Sequence, residues 1–180
     1  MMKLGCSSVL FNQLDLYGAL QHIAWAGYEG AELAILANHC RHIELNTEKS
    51  YIDEIKATAK KHGLELFAIH ADVGHLPGEH RVKSLVKLCD VAHKLNIPII
   101  TMRIQGKSDD AEATEKEFEF LRTVADEAAK REVILAIKAH VGASVYNTAT
   151  MLQMLEEVDS PGLGANLDTL HIFRAREDAA

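Results

Sequence analysis

Two segments, VILAIKAH at residues 133–140 and GLGANLDTLH at residues 162–171, decide the fold. Each begins as a short apolar run typical of a buried strand and ends in polar or charged residues. Between them lies an amphipathic stretch that ends near Val158, and its spacing of apolar residues predicts a helix. A strand, a helix and a second strand in this order predict two parallel strands joined by a crossover helix.

The same alternation repeats along the whole chain. Short runs rich in Val, Ile and Leu predict six strands, at residues 3–8, 30–35, 64–70, 98–104, 132–138 and 162–168. Their centres lie about 32 residues apart, which suits strand-helix units. The pattern predicts an α/β fold of the parallel (β/α) TIM-barrel type, incomplete with about six units, in a single domain at 1–180. An open doubly wound sheet is the alternative.

Strand parity predicts where a site would lie. Successive side chains on a strand point to opposite faces, so each predicted strand divides into two sets. One set is apolar, includes Leu4, Phe67 and Leu167, and is expected to pack on the helices. The other set becomes polar towards the end of each strand, with Glu32, His70, Thr101 and Arg103, Lys138, and Asn166 and Asp168. In a barrel this second set would gather at the C-terminal mouth, where barrel enzymes hold their active sites.

Composition narrows the function classes. The formal charge of -7 disfavours a nucleic-acid partner, which would require clustered Lys and Arg. The three cysteines are dispersed and indicate neither a disulfide framework nor a zinc ribbon, so a reducing, cytoplasmic location is expected. No apolar run approaches the length of a membrane span, and no membrane partner is expected. Motifs for nucleotide phosphates and for a serine nucleophile are also missing from the sequence.

Asp168 and Lys138 are the candidate catalytic residues. Asp168 follows a strand, where a carboxylate serves as a metal ligand or general base, or caps the next helix. Lys138 shares its parity with His140, so both side chains are expected to face the mouth. A lysine in that position must pair with a carboxylate, shift its pKa or contact a charged ligand, because burying it alone is costly. His171 either reaches the same pocket or has a structural role.

Other polar residues are candidates for substrate binding. Glu32 and Arg103 either bind a hydroxylated or anionic substrate or form a salt bridge with each other inside the barrel. His70 follows the third strand, and a structural role is as plausible for it as a binding role. The spacing of His39, His42 and His75 matches no metal-site pattern, so these three are expected on surface loops.

Five segments together resemble the xylose isomerase-like superfamily of TIM barrels. They are KLGCSS at 3–8, AGYEGAEL at 26–33, LFAIHA at 66–71, ILAIKAHVG at 134–142 and NLDTLH at 166–171. They occur in family order and cover nearly the whole chain. The superfamily contains sugar and sugar-phosphate isomerases and epimerases, and also AP endonucleases. The resemblance therefore implies a TIM barrel that acts on a small sugar-like molecule.

The resemblance also implies a divalent cation (Mn, Mg, Co or Zn) held by carboxylates and a histidine on strands five to eight. Asp168 matches the aspartate of the sixth strand, and His171 matches a histidine that contacts substrate in epimerases. His140 is a further candidate ligand. In that chemistry the metal polarises a carbonyl and a hydroxyl while a carboxylate removes the adjacent C–H proton.

Two features depart from the family pattern. Lys138 stands where the fifth-strand glutamate is usual, which replaces a metal ligand by a cation. The chain also stops where a sixth helix begins, so a C-terminal truncation is expected relative to a fold of roughly 250 residues.

Three functions follow as hypotheses. The first is a sugar or keto-sugar isomerase or epimerase, with Lys138 and Asp168 catalytic and metal bound by Asp168 and His140. Its substrate-binding residues would be Glu32, His70, Arg103 and His171. The second is a truncated, non-catalytic barrel, and the third and weakest is an AP endonuclease-like protein. An open sheet also predicts a homo-oligomer that covers its edges.

Overall fold

A computed structural model describes residues 2–37, 39–72 and 78–178. Its strands are β1 (Gly5–Ser7), β2 (Gly30–Leu36), β3 (Cys40–Arg41), β4 (Glu65–Asp72), β5 (Ile99–Met102), β6 (Ile134–Lys138) and β7 (Leu163–Asn166). The helices are α1 (Leu16–Trp25), α2 (Lys49–Lys61), α3 (Gly78–Leu95), α4 (Ala111–Ala129), α5 (Thr148–Val158) and α6 (Thr169–Arg174). None of these helices is long and apolar enough to cross a membrane.

The sheet winds in one direction. Its order is β1-β2-β4-β5-β6-β7 with all neighbours parallel, and the short β3 adds an antiparallel pairing to β2. A doubly wound sheet reverses direction around its first strand, so that alternative is wrong. The prediction of an incomplete TIM-barrel type with six strand-helix units is confirmed. In the described part of the chain β1 and β7 form the two ends of an open sheet.

Local sequence chemistry determines several helix ends. Asp15 caps α1 by accepting the backbone N–H of Gly18 at 2.7 Å, and Asp110 caps α4 in the same way. Asn147 and Thr150 form a reciprocal capping box at the start of α5. These side chains satisfy backbone donors that the first turn of a helix leaves without a partner. These three caps fix the residues at which α1, α4 and α5 begin, in the segments that follow β1, β5 and β6.

The core lies between the sheet and its helices. Ile69, Ile100, Leu135 and Ile137 are fully buried on the helix-facing side of three central strands, and Phe118 of α4 packs into the same cluster. Each such side chain stabilises the fold by roughly 1.5–3 kcal/mol through its removal from water. In the centre of the sheet, the apolar parity set therefore packs against the helices as predicted.

Three members of the apolar set differ from the prediction. Leu4 and Leu167 are 61% and 72% exposed, because each lies just outside an edge strand. Phe67 lies on the opposite face of β4, because the pairing with β2 shifts by one residue between Ala31 and Glu32. This β-bulge turns the Phe67 ring over Gly5 and Gly30, where a Cβ atom would meet the ring at 2.2 and 3.0 Å.

Candidate functional site

Polar side chains from five parallel strands and the start of α6 surround one cavity at the C-terminal end of the sheet. The cavity has a volume of about 280 Å³ and is lined by Glu32, His70, Thr101, Met102, Lys138, Asn166, Leu167, Asp168 and Thr169. The inward parity set supplies six of these residues, because alternate side chains of neighbouring strands face the same side of the sheet. Four of the six had been selected as site residues from the sequence: Glu32, His70, Lys138 and Asp168.

One wall of the cavity is a hydrogen-bonded group around Glu32. The Thr101 hydroxyl donates to Oε1 of Glu32 at 2.7 Å, and Nδ1 of His70 lies 3.9 Å from Oε2. Burial lowers the pKa of His70, an effect that the Glu32 carboxylate opposes and the Lys138 ammonium reinforces. At neutral pH the His70 imidazole is therefore mainly uncharged and can donate through one ring nitrogen and accept through the other.

The opposite wall is an ion pair between neighbouring strands. Lys138 is the last residue of β6, and the register pairs it with Asn166 at the end of β7. Its Nζ lies 3.5 Å from Oδ2 of Asp168, and the two side chains are 24% and 27% exposed. Of the alternatives given for Lys138, the structure shows the pairing with a carboxylate at the mouth.

Asp168 has a second contact through its other oxygen. Its Oδ1 accepts the backbone N–H groups of Leu170 and His171 at 3.1 and 3.3 Å, which caps α6. Burial acts to raise the pKa of Asp168, but the His171 N–H and the Lys138 ammonium outweigh it, so the pKa lies below its usual value. The carboxylate is therefore ionised at neutral pH and is both a helix cap and a wall of the cavity.

His171 and His140 lie together near this wall without lining the cavity. Their ring centroids are 4.3 Å apart, and Nδ1 of His140 lies 3.0 Å from the carbonyl oxygen of Val141. His171 is 8% exposed, and its Nδ1 has no hydrogen-bond partner. Burial, and then the neighbouring His140, lower the pKa of His171. The structure thus brings the two histidines into ring contact, tilted by 38°, near Asp168.

Arg103, like His140 and His171, is a predicted site residue that does not line the cavity. β5 ends at Met102, so Arg103 begins the following loop and is exposed. The alternative in which Arg103 forms a salt bridge with Glu32 is not observed, because Glu32 bonds to Thr101 and faces His70. Thr101 is the residue of β5 that points inward.

Sequence reasoning had not selected five of the lining residues. Thr101 and Asn166 could have been selected from the sequence, since both belong to the inward parity set and both line the cavity. Thr169 follows the cap of α6, and Met102 and Leu167 belong to the outward set, so alternation gave no reason to place these three at the cavity. Their positions depend on how the strand ends splay, which parity does not describe.

The loop histidines fall into three cases. His39 is exposed, as expected. The expectation for His42 is wrong, because this residue is buried and its Nε2 lies 3.0 Å from the carbonyl oxygen of Leu14. His75 lies outside the described residues.

The donor set at the mouth does not match a divalent cation. Within residues 2–37, 39–72 and 78–178, no three His, Cys, Asp or Glu side chains are arranged to hold a metal ion. Of the two predicted ligands, Asp168 faces the Lys138 ammonium and the His140 ring contacts the His171 ring. A site for Mg²⁺ or Mn²⁺ requires several oxygen ligands around an unoccupied centre, and here a cation of the chain stands beside the carboxylate.

Comparison with solved structures shows the same fold in longer chains. The probable 3-DHS dehydratase AsbF of Bacillus anthracis has a TM-score of 0.80 and 20% identity, over 98% of this chain and 66% of its own. The 3-keto-D-glucoside 4-epimerase YcjR of E. coli has a TM-score of 0.71 and 15% identity, over 91% and 66%. The chain thus spans just under two thirds of each of these neighbours.

A third neighbour was solved in complex with magnesium. This xylose isomerase-like TIM barrel protein of Mycobacterium smegmatis has a TM-score of 0.74 and 15% identity, over 92% of this chain and 64% of its own. A comparison with curated protein sequences found no significant match. The family model for the xylose isomerase-like TIM barrel matches residues 20–180, which is most of the chain. By this match the chain belongs to the xylose isomerase-like TIM barrel family.

Proposed function

We propose that the cavity binds a small hydroxylated carbonyl compound of the sugar class and moves a proton next to the carbonyl group, as an isomerase or epimerase does. The observation that carries this proposal is the convergence of an ionised carboxylate, an ammonium group, an uncharged imidazole and a hydroxyl group on one cavity. Adjacent donors and acceptors of this kind suit the alternating hydroxyl groups of a sugar.

Each wall has a distinct part in the proposed reaction. Asp168 is ionised and can accept a proton from the carbon beside the carbonyl, while Lys138 places a positive charge where the enolate oxygen forms. His70, Thr101 and Asn166 would hold hydroxyl groups. His171 lies behind Asp168 and would act through it, and Arg103 could reach a ligand only from the rim. No step is assigned to a divalent cation, because the donor set does not match one.

Family membership and the epimerase among the structural neighbours support this class of reaction. A matching fold at 15% identity does not transfer a substrate, so the sugar class rests on the chemistry of the cavity. No described feature favours the AP endonuclease alternative, since the chain carries a charge of -7 and lacks a three-ligand metal group in its described part.

Exchange of substrate hydrogen with deuterium tests the proposal without knowledge of the product. The chain is incubated in D₂O with D-fructose, D-tagatose or a 3-keto-glucoside, and loss of the C–H signal beside the carbonyl is followed by proton NMR. We expect exchange with at least one of these compounds. Asp168→Asn should slow it by about 100-fold or more, because a positioned general base contributes at least that factor.

Asp53→Asn is the matched control for this experiment. Asp53 is exposed on α2, so its substitution makes the same chemical change away from the cavity. Asparagine is also a good N-cap, so Asp168→Asn should retain the capping of α6. Equal exchange rates in the wild type and Asp168→Asn would contradict the assigned role of Asp168.

The non-catalytic barrel is the second candidate. It is favoured by the two structural contacts of Asp168, which caps α6 and pairs with Lys138. Under this alternative, saturation-transfer NMR would detect binding of a sugar while no compound exchanges its C–H hydrogen. That result would establish a binding function and rule out proton transfer for the compounds tested.

A further inference from the structure

The charge at the end of β6 has a consequence for metal binding. Lys138 lies on the strand between β5 and β7, and its side chain lines the cavity together with Asn166 and Asp168. The Lys138 ammonium is therefore part of the cavity wall, beside the Asp168 carboxylate. A divalent cation bound by Asp168 would have to displace this group or lie against it, and two cations at such short range repel strongly in a partly buried cavity.

Both oxygens of Asp168 already face donors. Oδ1 accepts two backbone N–H groups of α6, and Oδ2 lies 3.5 Å from Nζ of Lys138. Breaking the first contact would remove the cap of a helix, and breaking the second would leave a partly buried ammonium without its partner. A metal ion at Oδ2 would displace the Lys138 ammonium, and one at Oδ1 would compete with the backbone N–H groups of α6.

The other carboxylate and imidazole groups near the cavity lie in separate contacts. Glu32 accepts from Thr101 through Oε1 and faces His70 through Oε2, while the rings of His140 and His171 contact each other. Within the described residues the carboxylates and imidazoles of the mouth thus form two separate groups. They do not converge on a common point where an ion could sit.

From these contacts we infer that Lys138 is the cation of this site and excludes a divalent metal ion from Asp168. The ammonium stabilises the developing oxyanion of the substrate, a role that rests on the proposed function. The exclusion of metal is independent of turnover, because it follows from the contacts of Lys138 and Asp168 and from the arrangement of the other donors. The chemistry predicted for this chain is therefore proton transfer assisted by a fixed lysine.

Charge reversal at Lys138 tests the inference with Mn²⁺ alone as the probe. The full chain and its Lys138→Glu variant are labelled with ¹⁵N and titrated with Mn²⁺, and paramagnetic broadening of the Asn166 and Asp168 amide signals is measured. We expect Lys138→Glu to reach half-broadening at a Mn²⁺ concentration at least tenfold lower than the wild type. Adding Asp168→Asn to that variant should abolish the gain.

Two controls separate site effects from net charge and from misfolding. Lys87 is exposed on α3, so Lys87→Glu makes the same change in net charge away from the mouth and should leave the Mn²⁺ response at Asp168 unchanged. Lys138→Arg keeps the positive charge and should behave as the wild type. If Lys138→Glu does not fold, Lys138→Gln takes its place and should still broaden at a lower Mn²⁺ concentration than Lys138→Arg.

Two results would overturn the inference. One is broadening at Asp168 in the wild type at the same Mn²⁺ concentration as in Lys138→Glu. The other is a folded charge-reversal variant that gains no affinity for Mn²⁺. A negative sugar-exchange experiment would not change the Mn²⁺ response of the wild type or of Lys138→Glu. The proposed function and the exclusion of metal can therefore be contradicted independently of each other.

Discussion

Asp168 shows why one residue could not be assigned a single role from the sequence. A helix cap and a site carboxylate are usually alternatives, yet here Oδ1 caps α6 and Oδ2 faces Lys138. The two roles coincide because a β/α junction at the mouth of a barrel is both the start of a helix and the edge of the cavity. Sequence spacing identified the position, and only the structure shows both contacts.

Burial of His171 beside His140 predicts a stability that depends on pH. His171 has a folded-state pKa below its ordinary value of 6.5, chiefly because it is buried. The unfolded chain therefore binds more protons than the folded chain in mild acid. The contribution of His171 is fully present above pH 6.5 and is lost as the pH falls from 6.5 through the lowered folded-state pKa.

Urea unfolding between pH 7.5 and 5.0 measures this effect. We plot the free energy of unfolding against pH and expect a smaller slope for His171→Phe than for the wild type. Because one proton is involved, the slope can change by at most ~1.4 kcal/mol per pH unit. Phenylalanine keeps an aromatic ring against His140 and removes the titrating group. His80→Phe is the control, because His80 is exposed on α3 and should leave the slope unchanged. An unaltered slope in His171→Phe would assign the pH dependence to other groups.

At the scale of elements, local patterns were sufficient for most of the fold. Alternation with a period of two predicted the inward positions of Glu32, His70, Lys138 and Asp168, because each depends only on its own strand. The β-bulge at Phe67 could not be predicted in this way. It arises from the pairing of β4 with β2 and from the space above Gly5 and Gly30, and neither is a property of β4 alone.

The contact between α3 and α4 contains a buried ion pair. Arg81 donates two hydrogen bonds to Glu117 at 2.6 and 2.7 Å, and its guanidinium lies 3.7 Å from the centroid of the Phe120 ring. Glu117 also accepts the backbone N–H of Gln105 at 3.0 Å. The pair therefore links two helices to the loop that follows β5.

A double-mutant cycle tests the energetic coupling of this pair. Glu117→Gln should destabilise the fold by about 3 kcal/mol or more, because it leaves a buried guanidinium without its opposite charge. The double variant Arg81→Met, Glu117→Gln should be more stable than Glu117→Gln alone. It contains no buried charge, and the glutamine still offers an acceptor to Gln105.

Chemical denaturation followed by circular dichroism gives the four free energies of unfolding for the cycle. Lys83→Met with Glu79→Gln is the matched control, since Lys83 and Glu79 form an exposed pair on α3 and should show a coupling below about 1 kcal/mol. Additive losses at Arg81 and Glu117 would show that the buried pair is not energetically coupled.

At the scale of the molecule, the chemistry of the site comes from long-range pairing. Lys138 and Asp168 are brought together by the register of β6 with β7, which pairs Lys138 with Asn166. The sequence predicted that both residues face the mouth but could not supply the 3.5 Å distance between their charged atoms. The metal hypothesis therefore depended on the resemblance, and the ion pair is the observation that opposes it.

The open sheet predicts self-association of the chain. In the described residues β7 pairs with β6 on one side only, so backbone groups remain on its other edge. Beside this edge Leu167, Leu170 and Phe173 are 72%, 63% and 73% exposed, an apolar patch of the kind that often marks an interface.

We expect two copies of the chain to associate through this face, measured as a concentration-dependent sedimentation coefficient. Leu170→Glu with Phe173→Glu should shift the species to monomer, whereas Trp25→Glu, at a 69% exposed site on α1, should not. If the wild type still sediments as a monomer at about 100 times the lowest protein concentration measured, β7 is not a contact between copies.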